Sequence, residues 1–133
     1  ALDAAEELEK EGLDVEVIDL RTLAPLDKDA ILASVKKTSR ALILHEASLT
    51  GGIGGEIAAI ISQEAFEWLD APVVRVASLD TPVPYSPPLE DYYLPQVKDV
   101  LDGSSLLWAK TRSTKSHEAA RNDLCKVNWE TLL

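Results

Sequence analysis

The spacing of apolar residues changes period several times along the chain, and each change predicts an element. From Ala1 to Gly12, Leu2, Ala5 and Leu8 fall on one side and Glu6, Glu7, Glu9 and Lys10 on the other. An amphipathic helix is predicted, with Gly12 placed to end it in the left-handed conformation. Val15–Leu20 is β-branched and partly alternating, a strand leading into the Arg21–Leu26 connection. Asp27 is an N-cap for a helix reaching about Lys37, with Ile31 and Val35 four apart and Lys36 and Lys37 near its negative end. Ala41–Leu44 is an unbroken apolar run, the pattern of a strand covered on both faces. It ends in His45 and Glu46. A glycine-rich loop, Ala47–Gly55, precedes a helix predicted from Glu56 to Leu69. Its inner face holds Ile57, Ala58, Ile61, Ala65, Trp68 and Leu69, and its outer face Glu56, Gln63 and Glu67, with Glu64 at the edge. Val73–Ala77, after Pro72, reads as a third strand.

Thr81–Pro88 holds too many prolines for a helix or a central strand and is expected to wander over the surface. A short helix is predicted at Pro95–Leu101. From Gly103 onward Ser, Thr, Lys, Arg and Asn dominate, and Leu124, Val127 and Leu132 give a faint helical spacing. Alternating strands and helices imply right-handed crossovers and an α/β fold: three layers, a mostly parallel sheet with helices on both faces. At 133 residues, 46% of them hydrophobic, one such domain is expected. The reading divides the chain into a domain over 1–102 and a polar tail over 103–133. A chain opening in a helix leaves its first βαβ unit without an initial strand, so a first strand is expected to be missing.

Charge and candidate chemistry narrow the function classes. With 23 acidic against 13 basic side chains and a net charge of −10, a nucleic-acid partner is disfavoured. The acidity fits either solubility or attraction to a basic protein. Without a run of eighteen apolar residues or a signal-peptide layout, the chain reads as soluble, off the membrane and cytoplasmic. The single cysteine, Cys125, rules out an intrachain disulfide and a cysteine cluster; beside Lys126 it reads as a stray thiol. Gly51–Gly55 stands where dinucleotide enzymes cradle a pyrophosphate. Reading G-x-G-x-x-G from Gly52 puts Ile57 in the third glycine's place, and Glu56 would repel phosphate, so a structural turn is the preferred reading. His45 and Glu46 lie at the carboxyl edge of the central strand, where open α/β sheets bind ligands. Their side chains leave opposite faces, which excludes a mutual acid–base dyad and favours a hydrogen-bonded interface histidine. His117 is the only other histidine, too little for a metal site. Ser48 and Thr50 fit no nucleophile elbow.

The residues then suggest a family. Ala4-Ala5-Glu6-Glu7-Leu8, Glu16–Asp27, His45-Glu46-Ala47 running into Leu49-Thr50-Gly51-Gly52, Gly55-Glu56-Ile57, Ala71–Val76, Asp80–Pro84, Leu89-Glu90 and Leu94-Pro95 follow in order. Together they resemble the carboxy-terminal, transketolase-type domain of the beta subunit of thiamine-diphosphate-dependent 2-oxo acid dehydrogenases, over roughly Ala1 to Asp102. The His-Glu-Ala start and the Leu-Thr-Gly-Gly loop look closest to branched-chain or acetoin-type members. The resemblance implies a parallel-rich sheet with one antiparallel edge strand and a role in subunit contacts. It also implies docking of an acyltransferase core through its basic subunit-binding domain. Thiamine diphosphate and Mg²⁺ belong to other parts of the family's enzymes, so this chain alone is expected to bind no cofactor and carry no catalytic residue. The interface candidates are His45, Glu46, Gly51, Gly52, Glu56, Glu64, Glu67 and Asp70. Two alternatives are a stand-alone homo-oligomeric structural protein, its missing strand supplied by a neighbour or by the tail, and a part of an active oxidoreductase once complemented by other domains.

Overall fold

A computed structural model describes residues 1–114 and 129–132, with side chains through residue 108. The elements in order are α1 (Leu2–Lys10), β1 (Asp14–Val17), α2 (Lys28–Thr38), β2 (Ala41–Ser48), α3 (Ile53–Glu64), β3 (Val74–Ser78), α4 (Pro87–Tyr93), α5 (Val97–Thr114) and β4 (Trp129–Leu132). Asp27 caps α2 as expected: its carboxylate accepts from the Ala30 backbone N–H at 3.0 Å, using one of the donors a helix start leaves open. Gly12 ends the α1 turn at φ +82°, a conformation that side chains with a Cβ rarely take.

The four strands form one parallel sheet in the order β1-β4-β2-β3. Successive side chains on a strand leave opposite faces, and the fully buried run in β2 supplies both cores. Ala41 and Ile43 point to one face and join Ile31 and Val35 of α2 with Ile57 and Ile61 of α3. Leu42 points to the other and joins Ala4 of α1, Val76 of β3, and Val100 and Leu107 of α5. The expected α/β class, a mostly parallel sheet between two helical layers, is the observed one, and the antiparallel edge strand that the resemblance implied is not among the four described strands. The position between β1 and β2 is taken by β4, in register from Asp14↔Trp129 to Val17↔Leu132 and with Ala41↔Thr131 on its other side.

Several elements differ from the sequence expectation for local reasons. In α1 the buried pair is Ala4 and Leu8, one turn apart, and Leu2 is exposed, because packing on β1 and α5 selects that ridge. The helix expected over Glu56–Leu69 begins at Ile53, just after the extended Gly52, and ends at Glu64. Ala65 then leaves helical geometry and Phe66–Trp68 tightens into a 3₁₀ turn. That change of pitch turns Trp68 outward, to 45% exposure, instead of into the core. The proline-rich stretch does carry a helix at its end, since Pro87 and Pro88 occupy the first turn of α4, where a missing N–H costs nothing. The last predicted helix runs on to Thr114, across the expected boundary at 102/103. Gly103 permits this: a Cβ there would lie 2.9 Å from Val76 and 3.0 Å from Leu42, so the helix backbone rests almost directly on the sheet. His117, Leu124, Cys125 and Val127 lie outside the described residues.

Candidate functional site

The carboxyl edge of β2 and β3 gathers most of the singled-out residues around one histidine. Odd-numbered positions of β2 face α3, which places the His45 imidazole against the start of that helix. A Cβ on Gly52 would come within 2.6 Å of the ring's Cε1 and would also strike the Ser48 carbonyl oxygen; one on Gly54 would strike the ring itself. The spacing of these glycines is therefore explained by a side chain of the same chain packed where a phosphate would have to sit. Gly51, at φ +76°, makes the turn. Glu56 is exposed in the first turn of α3, and Glu46 is exposed on the opposite face of β2 from His45.

The loop is tied down from β3. The Thr50 backbone N–H and hydroxyl both donate to the Asp80 carboxylate, at 2.8 and 2.6 Å. Arg75 donates from Nη1 to the Leu49 carbonyl at 3.0 Å, and the Leu49 N–H donates to the Ser78 carbonyl at 3.2 Å. The two hydrogen bonds from Thr50 hold the Asp80 carboxyl below its ordinary value. Sequence reasoning missed this clamp, since Thr50 and Asp80 are thirty residues apart and each looks like an ordinary loop residue. The signal in the sequence was that Leu49, Thr50, Arg75 and Asp80 all lie in stretches that match the family.

Both ring nitrogens of His45 are shielded from solvent and lack a hydrogen-bond partner among the described residues. Loss of hydration lowers its pKa below the ordinary 6.5, and the Arg75 guanidinium adds repulsion of the protonated ring, while the Ala47 backbone pulls the other way. The unfolded chain then binds this proton more readily than the folded one. The resulting stability is complete above pH 6.5 and is lost as pH falls below it toward the lowered value. A His45→Asn variant is expected to show a flatter melting temperature between pH 7 and 5 than the unchanged protein, measured by circular dichroism. Parallel profiles would mean the imidazole titrates normally.

The remaining candidates sit elsewhere. Glu64 is the last residue of α3, about 12 Å from Glu56 along the helix at 1.5 Å per residue, and Glu67 and Asp70 follow beyond its end. All three are exposed. Glu64 approaches Lys28 at 3.7 Å in an exposed pair of little energetic value. Between them the 3₁₀ turn presents Phe66, 74% exposed, and Trp68. The structure thus separates the candidates into a loop cluster and an acidic segment, and adds two aromatics to the second.

A family model for the transketolase, C-terminal domain, matches residues 1–100. The chain belongs to this family. It is 48% identical over 102 residues to the pyruvate dehydrogenase E1 component subunit beta of Rickettsia felis, covering 77% of this chain and 31% of that protein. The acetoin:2,6-dichlorophenolindophenol oxidoreductase subunit beta of Bacillus subtilis is 48% identical over 95 residues, covering 71% of this chain and 28% of the relative. A mitochondrial pyruvate dehydrogenase E1 component subunit beta-1 of rice is 48% identical over 101 residues, 76% of this chain and 27% of that one. The chain spans about three tenths of the length of these relatives. As a member of a family that includes thiamine-diphosphate-dependent subunits, its glycine loop can be tested against a diphosphate. It does not fit, because His45 fills the space over Gly52 and Gly54 and the Glu56 carboxylate stands at the helix start. No step of chemistry is assigned to the loop. Among the described residues no group of three or more His, Cys, Asp or Glu side chains is placed to hold a metal ion, and no helix is long and apolar enough to cross a membrane.

Proposed function

We propose that this domain is a non-catalytic association module of a 2-oxo acid dehydrogenase beta subunit, joining other subunits and docking the acyltransferase core through that core's basic subunit-binding domain. The observation that supports it best is the segment Glu64–Asp70, where Phe66 and Trp68 stand exposed among three carboxylates. Exposed aromatics next to like charges form the usual composition of an anchor with an electrostatic rim. The rim steers a cationic partner and the rings supply contact area. The names of the relatives, each a component or a subunit beta, agree with a life in a complex. Cofactor binding and the choice of oxo acid then rest with other parts of such a subunit.

Titration calorimetry against a basic subunit-binding domain tests this. Binding is expected at low salt, weakening as salt rises because the charges are exposed. Phe66→Ala, and separately Glu64→Lys with Glu67→Lys, should each weaken it by roughly ten-fold, about 1.4 kcal/mol. No heat of binding from the folded chain at low salt would overturn the proposal.

A further inference from the structure

The edge of the sheet at β3 carries a second surface, remote in sequence from Glu64–Asp70. β3 pairs with β2 on one side, and no described strand lies on its other side. Along that open side runs a groove of about 460 Å³. Its floor is formed by four consecutive β3 residues, Val74–Ala77, so the strand's backbone edge faces it along with the side chains. The far wall comes from the end of α4 and from α5, with Tyr92 and Leu106 exposed by 77% and 58% and Asp99 and Asp102 beside them. An uncovered strand edge offers unpaired N–H and C=O groups and invites pairing with another extended chain. Proteins usually blunt such an edge with basic residues, proline or a covering element; here Arg75 and Pro95 stand in the lining, the Arg75 guanidinium turned to the Leu49 carbonyl, and Val74, Val76, Ala77, Leu79 and Leu106 leave the rest mostly apolar.

We infer that the outer edge of β3 takes up an extended segment of another polypeptide as an added strand, one that alternates apolar and basic side chains. Added strands gain affinity from main-chain hydrogen bonds and specificity from alternate side chains. On the α5 side those side chains meet Val74 and Val76 at the floor and Leu106 and Tyr92 on the wall, which select apolar groups. The exposed carboxylates of Asp99, which accepts the Gln96 N–H, and Asp102, 4.0 Å from the exposed Lys98, favour cationic ones. Charge also argues against a second copy of this chain, since at net −10 two such edges would bring two acidic walls together. This surface is independent of the Glu64–Asp70 proposal, and either can fail alone.

The test uses the full chain and a short peptide of alternating lysine and valine, with an alternating glutamate–valine peptide and a helical lysine–leucine peptide as controls. Binding of the first is expected to slow amide exchange at Val74–Ala77. Asp102→Lys and Leu106→Lys, both exposed and outside the core, should weaken it by roughly ten-fold or more while leaving the melting temperature in place. Phe66→Ala should leave it unchanged. Equal binding by the helical or acidic peptide, protection elsewhere than β3, or affinity untouched by both lysine variants would overturn the inference. Self-association of the chain that Leu106→Lys abolishes would overturn it in favour of a second copy.

Discussion

Gly52→Ala is expected to destabilise the domain by about 1–3 kcal/mol or more, the range for forcing an extra carbon into a closed site. Backbone conformation contributes nothing to this cost, because Gly52 sits at φ −73° and ψ 157°, which alanine adopts freely. The new methyl would instead meet the Ser48 carbonyl oxygen and the His45 ring. The carbonyl has little room to yield, since Ser48 is paired with Ser78 and the next N–H, of Leu49, is bonded to that residue's carbonyl. Gly54→Ala differs in kind: its methyl meets the imidazole, a side chain that can turn away, and more distantly Ile43. A double-mutant cycle separates the two. His45→Ala should recover most of the Gly54→Ala loss and little of the Gly52→Ala loss, read as shifts in urea midpoint. Equal rescue of both would mean that the ring alone, and not the carbonyl, sets the glycine at 52.

Leu42→Ala should cost about 2–5 kcal/mol, as expected for deleting a fully buried aliphatic side chain whose surroundings relax incompletely. Leu42 also bears on the reach of the domain, because its Cδ1 is one of two atoms nearest the place where a Gly103 Cβ would stand. Gly103→Ala by itself should be opposed by crowding against Leu42 and Val76 and favoured by the better helix former, worth up to about 1 kcal/mol. In the double variant the new methyl occupies part of the space Leu42 leaves. The pair should therefore lose less stability than the two single losses combined. Additivity within about 0.5 kcal/mol would show that α5 does not rest on the sheet at residue 103 in solution.

How far the fold could be read from the chain varies with the range of the interaction that decides each element. Asp27 and the α2 helix were legible because a cap and a four-residue spacing act within a few bonds. The buried β2 strand was legible because no polar residue interrupts Ala41–Leu44. The loop was read as a turn from the departure from the phosphate pattern at Ile57 and from the charge of Glu56, whereas the packing of His45 onto Gly52 and Gly54, which accounts for the glycines, has no local signature. Trp68 was misplaced because a wheel assumes one pitch, and the chain changes pitch at Ala65. The Thr50–Asp80 clamp and the Gly103 contact with β3 depend on partners brought together only by the sheet, so no local pattern announces them. Polar composition after Gly103 hid a helix whose buried residues there, among those whose side chains are described, are Gly103, Ser104 and Leu107.

The strand order has a consequence for how this chain folds as it is synthesised. Glu16 of β1 and Ala41 of β2 meet in the described sheet across β4, through Thr131. The helices and the β2–β3 pair can form as they emerge from the ribosome, but the middle of the sheet must wait until residues 129–132 have been made and threaded between two strands already present. Contacts so distant in sequence form slowly, and in the interval β1 and β2 each show an unsatisfied edge. The nascent domain is therefore expected to pass through a long-lived, association-prone stage in which chaperones have the most to protect.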